Sequence, residues 1–260
     1  MIELQQPFGI EHAKDISVLV LGLGESGTAM VRWCKTQGAK VRVADTRTAD
    51  ALSESAKTYE KTVRDLGVAD IHLGQLSDDL LQGVQLIAIS PGLSPLQEPV
   101  QSFLATAQQQ EIPVWSEIEL FAQAIAALKR EQDYQVKLLA ITGTNGKTTT
   151  TALTGLLCER AGMTVGVAGN ISPAALDRLL DIEVLPNVWV LELSSFQLEH
   201  TYSLNPDAAT VLNITQDHFD WHGDMAHYVA AKVKIFGENT TAVLNRDDAQ
   251  VLEMGAQLNA

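Results

Sequence analysis

Residues 138–151 read Leu-Leu-Ala-Ile-Thr-Gly-Thr-Asn-Gly-Lys-Thr-Thr-Thr-Thr, and they hold the densest chemistry in the chain. An apolar run, Leu138–Ile141, enters a glycine-bearing turn, and Gly146-Lys147-Thr148 opens a helix expected over Thr149–Arg160. Gly143 and Gly146 let the backbone curl so that its N–H groups point inward, where the helix N-terminus adds partial positive charge. Lys147 supplies a full charge for the β- and γ-phosphates, and the Thr148 hydroxyl can ligate Mg²⁺. The general pattern is G-x-x-x-x-G-K-[ST], and its first glycine falls on Ile141 here. The loop is therefore a variant, with Gly143 in a different slot. The expected ligand is ATP, cradled by Gly143, Thr144, Asn145, Gly146, Lys147, Thr148 and Thr149.

A second glycine loop lies near the start. The apolar run Ile16–Leu21 leads into Gly22-Leu23-Gly24-Glu25-Ser26-Gly27, a helical stretch Thr28–Gln37 and a strand Lys40–Ala44 ending at Asp45. This is the dinucleotide fingerprint G-x-G-x-x-G with an acidic residue about 20 positions on. Taken alone it suggests NAD, with Asp45 on the ribose. Yet Asp45-Thr46-Arg47 sets a cation beside that carboxylate, which an NAD-selective site does not need. An arginine there suits a phosphate or a base carbonyl. A dehydrogenase would also leave the ATP cradle unexplained.

Val188–Glu192 reads as a buried strand ending on a carboxylate, a good place from which to hold Mg²⁺ in a phosphate-loop domain. The strand Ala209–Asn213 leads into Ile214-Thr215-Gln216-Asp217-His218, so His218 also falls at a sheet edge. A helix expected over Met225–Glu238 carries Tyr228 and Lys232 on one face and Lys234 on another. Each of these is unremarkable alone, and their joint placement around one phosphate loop makes them site candidates.

The elements that must position these residues alternate. Strands are expected at 16–21, 40–44, 70–73, 85–89 and 112–114, with helices near 25–37, 52–66, 97–109 and 117–128. The pattern restarts with a strand at 136–141, then the phosphate loop, a strand at 164–167, a helix at 173–180, and strands at 188–192 and 209–213. The fold class is α/β: a Rossmann-like parallel-sheet domain over 1–132, then a P-loop ATPase domain over 136–260. The polar stretch Lys129–Gln135 is the expected linker. Ser90-Pro91-Gly92 follows a strand and so sits at the carboxyl edge, where such folds bind ligands.

Composition narrows the function. A net charge of −14 argues against a general nucleic-acid binder. No run approaches 18 apolar residues, so no membrane span is expected. Met1–Lys14 carries no signal-peptide core, which points to the cytoplasm. Cys34 and Cys158 are expected as buried thiols.

With these residues assembled, the chain resembles the Mur ligases, the ATP-dependent amide-forming family of peptidoglycan synthesis, and within it the D-glutamate-adding branch. The matching segments are Gly22–Gly27, Asp45-Thr46-Arg47, Ser90-Pro91-Gly92, Ser116–Phe121, Ile141–Thr149, Gly169-Asn170-Ile171, Leu191–Glu199, Asn213–His218 and Tyr228–Lys232. They follow family order through nearly the whole chain. The resemblance implies that the first domain holds a UDP moiety rather than NAD, through Gly24, Ser26, Asp45, Thr46, Arg47, Ser90 and Gly92. Asn170, Ser194 and Gln197 would hold the rest of UDP-N-acetylmuramoyl-L-alanine. Catalysis would involve Lys147, His218 and Lys232, with Mg²⁺ held by Thr148, Glu192, His218 and Lys232, the last as a carbamate. ATP and D-glutamate would be co-substrates and the protein a monomer.

The family has a third, C-terminal domain with most of the D-glutamate contacts. This chain stops at Ala260, so it is expected to lack that domain, to have its central domain cut short, and to form little amide by itself. A sister ligase adding another amino acid and a non-catalytic nucleotide-binding module are the alternatives.

Overall fold

The structure, a computed structural model, describes residues 2, 4–9 and 16–258; half of the polar stretch Met1–Lys14 lies outside them. Two units divide the chain, Met1–Glu131 and Gln132–Ala260.

The first unit contains β1 (Ser17–Leu21), α1 (Glu25–Thr36), β2 (Lys40–Asp45), α2 (Glu54–Asp65), β3 (Ile71–Leu73), β4 (Leu86–Ile89), α3 (Val100–Gln109), β5 (Val114–Ser116) and α4 (Glu117–Gln132). Its strands are parallel in the order β3-β2-β1-β4-β5. The order reverses between the paired strands β1 and β4, whose onward connections run to opposite halves of the sheet. That is the crevice in which open α/β sheets bind ligands. Val18 to Leu21 and Leu86 to Ile89 are buried, as strands covered on both faces must be.

Three expected boundaries move, each for a backbone reason. The helix expected from 97 starts at Val100, because Pro99 disfavours helical geometry in Glu98. The strand expected at 112–114 begins at Val114, since Pro113 has no N–H for the ladder and only its carbonyl is used, by Ile87 N at 2.9 Å. Finally, α4 runs to Gln132, so the expected linker Lys129–Gln135 is half helix. Lys129 and Arg130 sit in its last turn, where cations favour the negative helix end.

The second unit contains β6 (Lys137–Thr142), α5 (Lys147–Arg160), β7 (Val165–Gly169), α6 (Ala175–Asp181), β8 (Val188–Glu192), α7 (Ser195–Glu199), β9 (Ala208–Val211), α8 (Phe219–His222), α9 (Met225–Val233), β10 (Thr241–Leu244) and α10 (Ala249–Leu258). Its sheet is also parallel, in the order β10-β9-β6-β8-β7. Register brings three carboxyl ends level: Ile141 pairs with Glu192 and Thr142 with Val211. The phosphate loop thus leaves β6 flanked by the ends of β8 and β9.

The helix expected over Met225–Glu238 ends at Val233. Beyond it Ile235 and Phe236 N–H groups bond three residues back, and Gly237 packs so closely on Asn205 that an added Cβ would lie 2.5 Å from Asn205 Oδ1. Cys34 is buried, and burial pushes its thiol up to about 12; Cys158 is only half-buried, against expectation. Among the described residues no helix is long and apolar enough to cross a membrane.

Candidate functional site

In the first unit, the turns after β1, β2 and β4 enclose a cavity of about 450 Å³. Its wall includes Gly24, Ser26, Asp45, Thr46, Arg47, Ser90 and Gly92, so every first-unit residue expected at the UDP site lies around one space. Gly27 is needed for tight packing, because a Cβ there would lie 2.0 Å from Gly22 O. Gly24 is different: a Cβ there would meet nothing within 4 Å. Its bareness serves the open side of the loop, where a ligand can approach the backbone.

Asp45 and Arg47 form a fork. Arg47 Nε donates to Asp45 Oδ1 at 2.8 Å and its Nη2 to Oδ2 at 2.6 Å, while Leu23 N and Arg47 N donate to the same carboxylate at 2.6 and 2.9 Å. Burial pushes the Asp45 carboxyl up, but these hydrogen bonds and the Arg47 charge outweigh it and hold it below the usual carboxylate range. The same pairing raises Arg47. Asp45 is 3% exposed and its acceptor capacity is spent, which leaves little for a ribose. Arg47 keeps about two-fifths of its side chain exposed on the cavity side of the fork.

In the second unit the phosphate loop is closed on itself. Gly146 caps α5 at φ 85°, ψ −3°, a left-handed geometry that glycine adopts without strain. Asn145 is clamped by Asn213, whose Oδ1 accepts from Asn145 N at 2.9 Å and whose Nδ2 donates to Asn145 O at 3.1 Å. Thr144 N donates to Asn213 O at 3.0 Å. Lys147 Nζ donates to Gly143 O and Thr144 O, both at 3.0 Å. Thr148 and Thr149 are exposed at the start of α5.

Lys232 reaches the same loop from α9. Its Nζ donates to Gly143 O at 3.0 Å and Thr142 Oγ1 at 3.3 Å, and lies 4.7 Å from the Tyr228 ring centroid. Burial first, then the charge of Lys147, brings Lys232 down to about 7 against a smaller opposing pull from Asp217. Lys234 points elsewhere and bonds the Glu199 carbonyl. His218 stands half exposed in left-handed geometry at φ 53°, 3.4 Å from Asp217 Oδ2 and packed on Phe196.

Glu192, at the end of β8, is 1% exposed. Its Oε1 accepts from Asn170 Nδ2 at 2.6 Å, while its buried Oε2 has no protein partner. A buried polar atom left unpaired is costly, and it marks a place for an ion or water. Among the described residues no three His, Cys, Asp or Glu side chains gather into a cage. One carboxylate beside a phosphate cradle fits Mg²⁺, which usually combines one or two carboxylates with phosphate oxygens and water.

Of the other residues expected to hold substrate, Ser194 and Gln197 are occupied with each other. Ser194 Oγ accepts from Gln197 N at 3.2 Å, and Gln197 Oε1 accepts from Ser194 N at 3.0 Å, a capping box for α7. Sequence reasoning overlooked the buried pair His222 Nε2 and Ser195 Oγ, 2.9 Å apart. Burial and the Lys232 charge lower His222 to about 4, so it is neutral near pH 7. The available signal was its position, four residues after His218 at the end of a one-turn helix.

Comparison with known families identifies both units. A Mur ligase MurD-like N-terminal domain is matched over residues 16–116, and the Mur ligase middle domain over 141–259. The chain belongs to the Mur ligase family. It is 60% identical over 238 residues to the UDP-N-acetylmuramoylalanine–D-glutamate ligase of Ralstonia nicotianae, covering 90% of this chain and 46% of that protein. With the enzyme of the same name from Paraburkholderia phymatum it shares 57% identity over 250 residues, 93% of this chain and 48% of that one. The chain therefore spans about half the length of these relatives. Among solved structures it is similar to a murein peptide ligase from Psychrobacter arcticus, with 15% identity, a TM-score of 0.49, and coverage of 93% of this chain and 51% of that one. Within this Mur ligase framework, the Asp45–Arg47 cavity falls in the matched N-terminal domain and the Lys147–Glu192–Lys232 group in the matched middle domain.

Proposed function

We propose that this chain serves the ATP-dependent joining of D-glutamate to UDP-N-acetylmuramoyl-L-alanine, in the cytoplasm and as a monomer. The γ-phosphoryl group of ATP passes to the L-alanine carboxylate and ADP leaves. The D-glutamate amine then attacks the acyl carbon and loses a proton, and inorganic phosphate departs as the amide forms. Both steps bring anions together, so positioning and charge neutralisation carry most of the catalysis.

Each residue has a part in this reading. Arg47, held rigid by Asp45, turns its remaining N–H groups to the uridine diphosphate end, with Gly24, Ser26, Thr46, Ser90 and Gly92 shaping the pocket. Asn170, Ser194 and Gln197 meet the rest of that substrate. Lys147 leaves Gly143 O for the phosphates, and the N–H groups of residues 143–149 complete the cradle. Mg²⁺, held by Thr148, Glu192 and His218, would neutralise charge on the phosphates. Lys232, brought down to about 7 by burial and by Lys147, has access to the neutral amine and can add CO₂ through Nζ with loss of a proton, which turns a cation into a metal-facing carbamate.

The observation that carries the reading is the pairing, in the second unit, of a lysine-bearing phosphate loop with a buried carboxylate oxygen that has no protein partner. The choice of D-glutamate rests on the names of the relatives. Thermal unfolding with UDP, ATP and NAD added separately tests it. A ligand at 100 times its Kd adds about 2.7 kcal/mol, so UDP and Mg·ATP should each raise the melting temperature. Protection by NAD in their place would overturn the reading.

A further inference from the structure

Tyr228 is 1% exposed, yet its hydroxyl is not idle. It lies 2.9 Å from Thr144 Oγ1, inside the phosphate loop. The same Oγ1 donates to Thr215 O at 3.3 Å and accepts from Thr215 N at 3.0 Å. A hydroxyl has one proton and two lone pairs. If Thr144 gives its proton to Thr215 O, the Tyr228 O–H must be the donor to Thr144, and every site on Thr144 Oγ1 is then filled. The side chain of Thr144 is thus pinned from two directions, by the strand-end loop after β9 and by α9.

The rest of the phenol is fixed as well. Its ring meets those of His222 at 5.3 Å and His218 at 6.4 Å, and Lys232 Nζ sits 4.7 Å from its centroid. Tyr228 and Lys232 lie one helical turn apart on α9 and both reach the start of the loop, one through Thr144 and the other through Gly143 O. A phosphate loop works only if its N–H groups are already aimed, because a loop that must be ordered on binding gives up affinity to that ordering.

We infer that Tyr228 is a positioning residue for the phosphate loop: by holding Thr144 Oγ1 it keeps the N–H groups of the cradle in the geometry that receives a nucleoside polyphosphate. The inference rests on the ATP-binding reading above and assigns Tyr228 no contact with the nucleotide.

Calorimetric titration of the chain with ADP and with ATP, in the presence of Mg²⁺, tests it. Tyr228→Phe keeps the ring and deletes one oxygen. It should weaken both nucleotides about tenfold, the usual effect of one buried hydrogen bond, while protection by UDP stays unchanged. Thr144→Val should do the same from the exposed side of the bond, and so carries the test should Tyr228→Phe fold poorly. Thr144→Ser keeps the hydroxyl and should recover most of the affinity that Thr144→Val loses. The double variant Tyr228→Phe/Thr144→Val should be little weaker than either single one, as expected for partners in one bond. Wild-type affinity in Tyr228→Phe or in Thr144→Val, beside a Lys147→Ala control that has lost nucleotide, would overturn the inference and leave the ATP reading standing. No nucleotide binding by the wild-type chain would overturn both.

Discussion

The two glycine loops stand at equivalent places, each at the carboxyl end of a buried parallel strand, and their electrostatics are opposite. Around the first, charge is balanced inside the protein: Asp45 is met by the Arg47 fork and by two backbone N–H groups. Around the second, it is not. Lys147 and Lys232 both donate to the single carbonyl of Gly143, and Glu192 keeps a buried oxygen without a partner. The first loop is a finished shape that a ligand enters. The second is a set of charges that only a polyanion and a cation together would complete. Binding at the second should accordingly change energetics more.

The largest effects should come from breaking the unfinished site. Lys147→Ala should weaken ATP by roughly a hundredfold, since charge-assisted bonds to two phosphates are lost, and leave UDP binding intact; calorimetry with each ligand reads both. Glu192→Gln sharpens the contrast, because function and stability should move in opposite directions. A neutral amide removes the cost of burying a charge with one oxygen unpaired, so the ligand-free melting temperature should hold or rise, while the Mg²⁺-dependent part of ATP affinity disappears. A fall in both would show that Glu192 serves the fold rather than a cation.

At the finished site, Arg47→Ala should cost UDP roughly 1.5–3 kcal/mol, or about tenfold to a hundredfold in affinity. It should also strand Asp45. In the wild type the depressed Asp45 pKa contributes stability above the unfolded value of about 3.9, and this is lost as pH falls through the folded value. In Arg47→Ala that acid-side loss should vanish, which denaturant titrations between about pH 6 and pH 3 would register.

The last contrast concerns stability rather than binding, and belongs to the aromatic cluster beside the second loop. His222 is lowered to about 4 in the folded protein against 6.5 when free, so the unfolded chain takes up its proton first. Stability should fall as pH drops from about 6.5 towards 4, by up to about 3 kcal/mol for this group at 1.36 kcal/mol per unit. His200, lowered to about 4 by burial and by Lys234, adds loss in the same window. His222→Gln should flatten the dependence without removing it. An unchanged profile would mean that the His222 pKa is the same in the folded and unfolded chain, against the lowering by burial.

Sequence alone made the two sheets and both loops legible, because buried parallel strands are uninterrupted apolar runs and each loop is punctuated by glycine. The strand β10 is hidden for the converse reason: Thr241-Ala242-Val243-Leu244 is a short edge, exposed over its first three residues, and four residues give too little pattern to tell a strand from a loop. The one-turn helices α7 and α8 are too short for a period to show. At the sites, residue types pointed to Lys147, Glu192, His218 and Lys232, but spacing could not reveal that Arg47 is spent largely on Asp45, or that Asn170 serves Glu192. The first is a local choice of rotamer between residues two apart, and the second depends on strand register, which brings the ends of β7 and β8 together at Gly169 and Glu192. The His222–Ser195 bond joins segments 27 residues apart, and the position of His222 four residues after His218 gives no hint of that partner.

The division of labour between the two loops is tested most directly by hydrogen exchange on the chain with UDP alone and with Mg·ATP alone. UDP should slow exchange at residues 22–27, 45–47 and 90–93 by a modest factor and leave the second unit unchanged. Mg·ATP should slow residues 143–149 and 192–197 much more strongly and leave the first unit unchanged. Protection of residues 22–27 by Mg·ATP, or of residues 143–149 by UDP, would contradict the account.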